Sequence, residues 1–339
     1  MHDSRYFNTQ TAMINVHIGC RLGYIAAAPS PIIFLLRPHG DNCGMVVYER
    51  FITSAGNKEN RQTDIYGNRA IRTTLLPGYN EFVYAAMLTL PARPDSDGMC
   101  AGVIPIGELP LDVIHYTLPS RYCESDRLVD FAKDLFGDLP PGGLQVQAIC
   151  DWVHANIEYR YGSGSSLLSA CDVLKRRYGV CRDFAHVVIA LCRALDLPAR
   201  YVAGHIPRLL ENSYSDDSDI GRDFHAYAEV YVGGHWYTYD ARHNRPITGR
   251  IKIAHGMDAA DAALATFYGE VGATVFTAWS HQVNITSEAA NHRRIIDATL
   301  QRNTGAGYMI QGPLRIKFTP LNYEVDDQPD AVASTPSLN

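Results

Sequence analysis

Apolar and polar positions divide the chain into two rhythms. From residue 13 to about 115, short apolar runs (Met13–Ile18, Ile32–Leu36, Met45–Tyr48, Phe82–Leu90) are punctuated by Pro, Gly, Asn and Asp. Runs of that length bounded by turn formers predict strands. Asp64-Ile65-Tyr66-Gly67-Asn68 predicts a turn, and residues 1–115 together read as a β-sandwich-like domain. After Tyr116 the period lengthens. Ser125 can cap a helix running to about Phe136, closed by Gly137 and Pro140-Pro141. A second helix is expected from about Leu144 to Ile157, with Val146, Ile149, Cys150, Val153 and Ile157 on one face. Ser169, with Asp172 at the third helical position, starts a short helix through an acidic variant of the capping box. Gly179 is its expected stop.

The next helix, from about Cys181 to Leu195, aligns Phe184, Val188, Leu191, Cys192 and Leu195 along its buried side. A strand follows at Ala199–Ala203, then an acidic loop around Glu211–Asp219. Two strand-like runs, His225–Val232 and His235–Asp240, are separated only by Gly233-Gly234, a hairpin signal. This second region, 116–320, forms the expected catalytic domain. Past residue 321 the chain is rich in Pro, Ser and Asp, the composition of a disordered tail. No internal repeat is present.

Composition narrows the function classes. The chain has 339 residues, 46% of them apolar and 19% charged, with a net charge of -6. No Lys/Arg-rich run marks a nucleic-acid or anionic-membrane partner. The N-terminus lacks the basic-then-apolar layout of a secretory leader, and no stretch approaches the roughly 18 apolar residues of a membrane helix. A cytoplasmic setting is the expectation. The 8 cysteines form no CxxC pair and no zinc-ligand spacing, so most are expected to be reduced core thiols, with no metal or cofactor implied.

Cys181 calls for another explanation. It follows Gly179-Val180 at the start of a helix, where unpaired N–H groups and the positive end of the dipole favour a thiolate, the form a nucleophile requires. Its base must come from 13 histidines. His186 lies about 140° around the same helix and points elsewhere. His205 ends a strand, and His235 and His243 read as turn or surface residues. With a two-residue turn at Gly233-Gly234, Tyr227 faces Asp240 and His225 faces Arg242. His225 and Asp240 are then diagonal neighbours on one face, with backbones about 7–8 Å apart. Glu229 shares that face but sits about 13 Å along the strand, so Asp240 is the better orienting acid.

These segments carry a family resemblance. Gly-Val-Cys-Arg-Asp-Phe-Ala-His (179–186), Leu-Pro-Ala-Arg-Tyr-Val (197–202), His-Ala-Tyr-Ala-Glu-Val-Tyr (225–231) and Tyr-Asp (239–240) resemble the core of bacterial transglutaminase-like cysteine proteases. The β region before them, and residues 250–261 after them, resemble that family's flanking parts. The resemblance reaches to about residue 285. It implies an α+β fold, in which a papain-like/transglutaminase core packs the Cys-bearing helix on an antiparallel sheet behind a β-sandwich-like domain. It also implies Cys181 as nucleophile, His225 as general base and acid, and Asp240 as the residue orienting His225. Met257 stands where relatives carry a basic residue, which bears on substrate contacts and not on the triad.

The expected chemistry is acyl transfer through a thioester on Cys181. Hydrolysis of a peptide or isopeptide amide is the leading reading. Amine acyl transfer and a non-catalytic peptide-binding scaffold are the alternatives. The backbone N–H of Cys181 can serve the oxyanion, with Tyr159 or Tyr161 as candidate second donors. Residues 162–166 are a candidate rim over the cleft.

Overall fold

Strands fill the first part of the chain, as the short apolar runs require: β1 Met13–Ala26, β2 Ser30–Leu35, β3 Met45–Thr53, β4 Asn60–Thr63, β5 Arg69–Leu75 and β6 Gly78–Pro91. The computed structural model describes residues 12–284 apart from 43, 54–56, 97 and 211–219, together with residue 294 and the strand at 309–314. The acidic loop around 211–219 and the tail past 321 therefore lie outside the described residues. The turn expected at Asp64 is present, with the N–H groups of Tyr66 and Asn68 each donating to Asp64 Oδ1 at 2.9 Å.

The strands build two antiparallel sheets. Alternate side chains of β1, β2, β5 and β6, including Ile18, Leu22, Ile32, Phe34, Ile71, Phe82 and Tyr84, meet in one apolar cluster. The Phe34 and Phe82 rings lie 4.9 Å apart. The chain returns to these sheets late. β13 (Ala265–Phe267) pairs with β2, β14 (Val271–Val283) pairs with β1 along its length, and β15 (Met309–Leu314) adds outside β14. The first sheet thus runs β15-β14-β1-β6-β3, and the other β13-β2-β5-β4. A division that assigns 116–320 wholly to the catalytic part omits this return, because β1 uses both of its edges and one partner comes from beyond residue 270.

Between the two visits the helical layer forms: α1 Leu111–Ile114, α2 Val129–Phe136, α3 Gly143–Asn156, α4 Ala170–Arg176 and α5 Cys181–Ala194. Ser125 opens a 3-10 turn that precedes α2 and does not cap it directly. α4 starts at Ser169, whose N–H donates to Asp172 Oδ2 at 3.1 Å. It stops at Arg177, which takes the left-handed conformation with φ 61°, and not at Gly179. From Asp183 to Ala194 every residue of α5 is buried. A helix covered on all sides belongs in the core. It packs on α2, α3 and α4, and on the sheet strands β9 (Ala199–His205) and β10 (His225–Val232). With β11 (His235–Tyr239) and β12 (Ile251–Gly256) these make an antiparallel sheet ordered β11-β10-β9-β12. The Cys-bearing helix on an antiparallel sheet is the papain-like, transglutaminase-type core expected from the sequence. Among the described residues no helix is long and apolar enough to cross a membrane.

Candidate active site

Local chain geometry sets Cys181 at the first position of α5. Val180 precedes it in an extended conformation, and the Val180 N–H donates to Asp183 Oδ2 at 3.0 Å. The acid at the third helical position thus caps the helix that carries the thiol. Gly179 makes room for this: a Cβ there would lie 2.6 Å from the Asp183 side chain. This close approach, and no helix stop, is why glycine stands at 179. Buried Asp183 also pairs with Arg176 at 2.7 Å and Arg182 at 3.4 Å. Cys181 is partly exposed, whereas Cys20, Cys123, Cys150 and Cys192 are buried. Burial pushes the Cys20 and Cys123 thiols up to about 12, as expected of inert core cysteines.

The other half of the site hangs on the hairpin. Gly233 and Gly234 have φ of 57° and 83°, the positive values of a two-residue type I′ turn. The ladder runs from Val232↔His235 to Ala228↔Tyr239, which is the expected register. One step further, Asp240 leaves the end of β11 beside the start of β10. His225 Nε2 and Asp240 Oδ2 are 2.8 Å apart. Nδ1 is left free of Asp240, and the Cys181 thiol is the ring's other interacting neighbour. Burial opposes a charge on His225, but Asp240 and Cys181 outweigh it and raise the ring to about 9. An imidazolium is therefore the resting form at neutral pH, next to the thiol.

Asp240 is held on every side. Its Oδ1 accepts from the N–H groups of Arg242 at 3.1 Å and His243 at 3.4 Å. Its Oδ2 accepts from Arg250 Nη1 at 3.0 Å as well as from His225. Burial works against the carboxylate charge, yet His225 and Arg250 keep its pKa well below the usual range. Glu229, the competing acid, is committed elsewhere: its Oε2 lies 2.7 Å from both Arg200 Nε and Lys252 Nζ.

The remaining sequence candidates fall into place. His186 is buried, stacks on Tyr122 at 5.0 Å and accepts from the Ala259 N–H at 3.2 Å. Burial lowers its pKa well below 6.5, so it is a neutral core histidine. His205 is buried against Phe224. His235 is exposed. His243 sits in a turn, as expected, but is partly buried: its ring lies 4.9 Å from that of His225, and burial lowers its pKa to about 4. Tyr159 lies under the Arg242 guanidinium at 3.7 Å, while Tyr161 is mostly exposed. Sequence reasoning missed Arg250 and its second partner Asp95, whose Oδ2 lies 3.0 Å from Arg250 Nε. No local pattern joins residues so far apart in the chain. His225, Asp240 and His243 offer ligand atoms within 4.8 Å of one another. The carboxylate oxygens there are already taken by four donors, one of them a guanidinium, so the cluster does not suit a cation.

Comparison with known proteins agrees with this fold. The sequence model of the Transglutaminase-like superfamily matches residues 129–241. A solved structure from Cytophaga hutchinsonii, described as a candidate cysteine protease, is similar with TM-score 0.71 and 31% identity, covering 82% of this chain and 93% of that one. An uncharacterised protein of Mycobacterium leprae is 33% identical over 132 residues, 38% of this chain and 46% of that protein. One from Mycobacterium tuberculosis H37Rv is 33% identical over 144 residues, 40% of this chain and 45% of that protein. The chain thus spans about half the length of these mycobacterial relatives.

Proposed function

This chain belongs to the transglutaminase-like superfamily, and on that premise we propose that it catalyses thiol-dependent acyl transfer on peptide or isopeptide amides, with water as acceptor. Cys181 is the nucleophile, His225 the general acid and base, and Asp240 the carboxylate that orients His225. The observation that carries this reading is the position of His225, with Nε2 on Asp240 at 2.8 Å and the Cys181 thiol, at the start of α5, close enough to favour the charged ring.

The steps follow from these positions. The Cys181 thiolate attacks the amide carbon, forming an S–C bond while the carbonyl electrons move to oxygen. The N–H of Cys181, at the first helical position, has no intrahelical acceptor and can donate to that oxyanion. Collapse of the intermediate breaks the C–N bond, and the amine leaves with the proton from His225 Nδ1. Neutral His225 then takes a proton from water as the water attacks the thioester. The thiolate leaves, the acid product departs, and the imidazolium is restored. Hydrolysis is favoured over transfer to an amine because the Cytophaga hutchinsonii protein is described as a candidate protease. The described cysteines are all free, which fits a reducing, cytoplasmic setting.

The test compares the parent with Cys181→Ala, Cys171→Ala and Cys192→Ala on peptides from a cell extract, read by mass spectrometry with and without an added primary amine. Cleavage should disappear only in Cys181→Ala and should not need the amine. Amine-linked products in place of cleaved ones would reject hydrolysis. Activity surviving in Cys181→Ala would reject the nucleophile.

A further inference from the structure

The Asp240 carboxylate is only as well placed as the group behind it. Arg250 stands just ahead of β12 with 3% of its side chain exposed. Its fork makes two bonds at once, Nε to Asp95 Oδ2 and Nη1 to Asp240 Oδ2, each 3.0 Å. The Tyr227 ring lies 4.4 Å from the guanidinium. Asp95, in the segment after β6, is tied to the same loop as Arg250. Its N–H donates to Ile247 O at 3.1 Å, and its Oδ2 accepts from the Ile247 N–H at 3.2 Å. Neither Asp95 nor Arg250 falls within the 129–241 matched by the family.

We propose that Arg250, fixed by Asp95, is a positioning residue of the active site that holds the Asp240 carboxylate against His225 and keeps their shared proton on the imidazole. This rests on the reading of Cys181, His225 and Asp240 given above. The chemistry lies in the one oxygen, Asp240 Oδ2, that receives both His225 Nε2 and Arg250 Nη1. An oxygen accepting from two charged donors is a weak base, so the proton stays on Nε2 and the Nδ1 side stays directed at the thiol. Asp95 offsets part of the guanidinium charge and so limits its pull on Asp240. The two residues therefore act on His225 in opposite senses: the Arg250 cation disfavours the imidazolium, and the Asp95 anion favours it. The other charged or titratable groups facing this chain are Cys150 on α3, Cys181 on α5, Tyr227 on β10, and Arg242 and His243 after β11, and all of them remain in Asp95→Asn and Arg250→Met. A lysine at 250 keeps the charge but cannot bridge both carboxylates as a planar fork does.

The experiment follows the His225 ring by NMR titration in the parent, Asp95→Asn and Arg250→Met, with the signal assigned by its loss in His225→Ala. The parent midpoint should lie near 9. Asp95→Asn should move it down by about half a pH unit, and Arg250→Met should move it up. These signs report the two charges at the ring; the positioning role is read from Arg250→Lys, which keeps the charge and should still fall well short of the parent's turnover. Turnover of p-nitrophenyl acetate should fall about 100-fold in Arg250→Met and recover only in part in Arg250→Lys. An unmoved midpoint in Asp95→Asn overturns the proposal, and it decides the matter alone should Arg250→Met fail to fold. Midpoints moving in the same direction, or full turnover in Arg250→Met, also overturn it. Cys181→Ala separates the two readings: ester turnover persisting there would sink the nucleophile, while the midpoints would still judge Arg250.

Discussion

One strand, β10, carries two buried charge clusters that differ in what they can do. At Glu229 the carboxylate is met by Arg200 from the neighbouring strand and by Lys252 from β12, and Lys252 also reaches Asp41 at 2.8 Å. The Glu229 carboxylate is thus occupied by fixed partners, and His255, which also touches Arg200, has its pKa lowered to about 2 by burial and the neighbouring cations. At the start of the strand, His225 holds Asp240 through Nε2 and has the partly exposed Cys181 thiol as its other interacting neighbour. Both clusters are buried, and both hold an acid against cations. Only the second contains a proton that can move near neutral pH and a nucleophile that a substrate can reach. Burial and charge pairing alone do not make a reactive site.

This comparison can be broken by exchanging the consequences. Asp240→Asn should lower turnover by about 10³–10⁴-fold, because the amide no longer fixes the tautomer or stabilises the imidazolium. Thermal unfolding measured alongside should show the fold retained. Glu229→Gln should do the reverse: turnover close to the parent's, but a stability loss of about 3–5 kcal/mol in urea unfolding, since Arg200 and Lys252 are left buried without their anion. A large rate loss in Glu229→Gln with Asp240→Asn near normal would invert the roles assigned here.

His225 and Glu229 themselves should also lose their contributions at opposite ends of the pH range. His225 is raised from 6.5 to about 9, so its contribution is complete below 6.5 and is lost as pH rises through 9. At 1.36 kcal/mol per pH unit this amounts to about 3 kcal/mol at most. Glu229 is lowered from 4.5: burial resists its charge, but Lys252 and Arg200 prevail. Its contribution is complete above 4.5 and is lost on acidification. Chemical unfolding followed against pH should show the alkaline decline flattened in His225→Gln and the acid decline softened in Glu229→Gln. The smallest expected effect is at Gly179, where Ala would push on Asp183 and cost about 1–3 kcal/mol of stability, with a shift of the Cys181 backbone readable in its NMR signals.

Much of the site was legible because its determinants are local. Two adjacent glycines between alternating strands fix a register, and the register fixes that His225 and Asp240 meet. Gly179-Val180 ahead of an apolar helix, with Asp183 capping it from the third position, sets Cys181 at its start. What stayed hidden depends on distant parts of the chain. Asp95 and Arg250 are 155 positions apart, and β14 pairs with a strand that opens the chain. Arg250 in the sequence is one arginine among many, and only the fold shows that its fork spans two carboxylates. His243 is a turn residue, as its lack of period suggests, but only the fold shows that its ring lies against that of His225.

The central claim is that acyl groups pass through a thioester on Cys181. It is tested most directly by trapping that intermediate: brief reaction with p-nitrophenyl acetate, acid quench, and peptide mapping by mass spectrometry. The acetyl group should be found on the peptide containing Cys181, should be released by hydroxylamine at neutral pH, and should accumulate when Asp240→Asn slows its hydrolysis. Rapid turnover with the acetyl group on another residue, or an unchanged acetylation pattern in Cys181→Ala, would contradict the account.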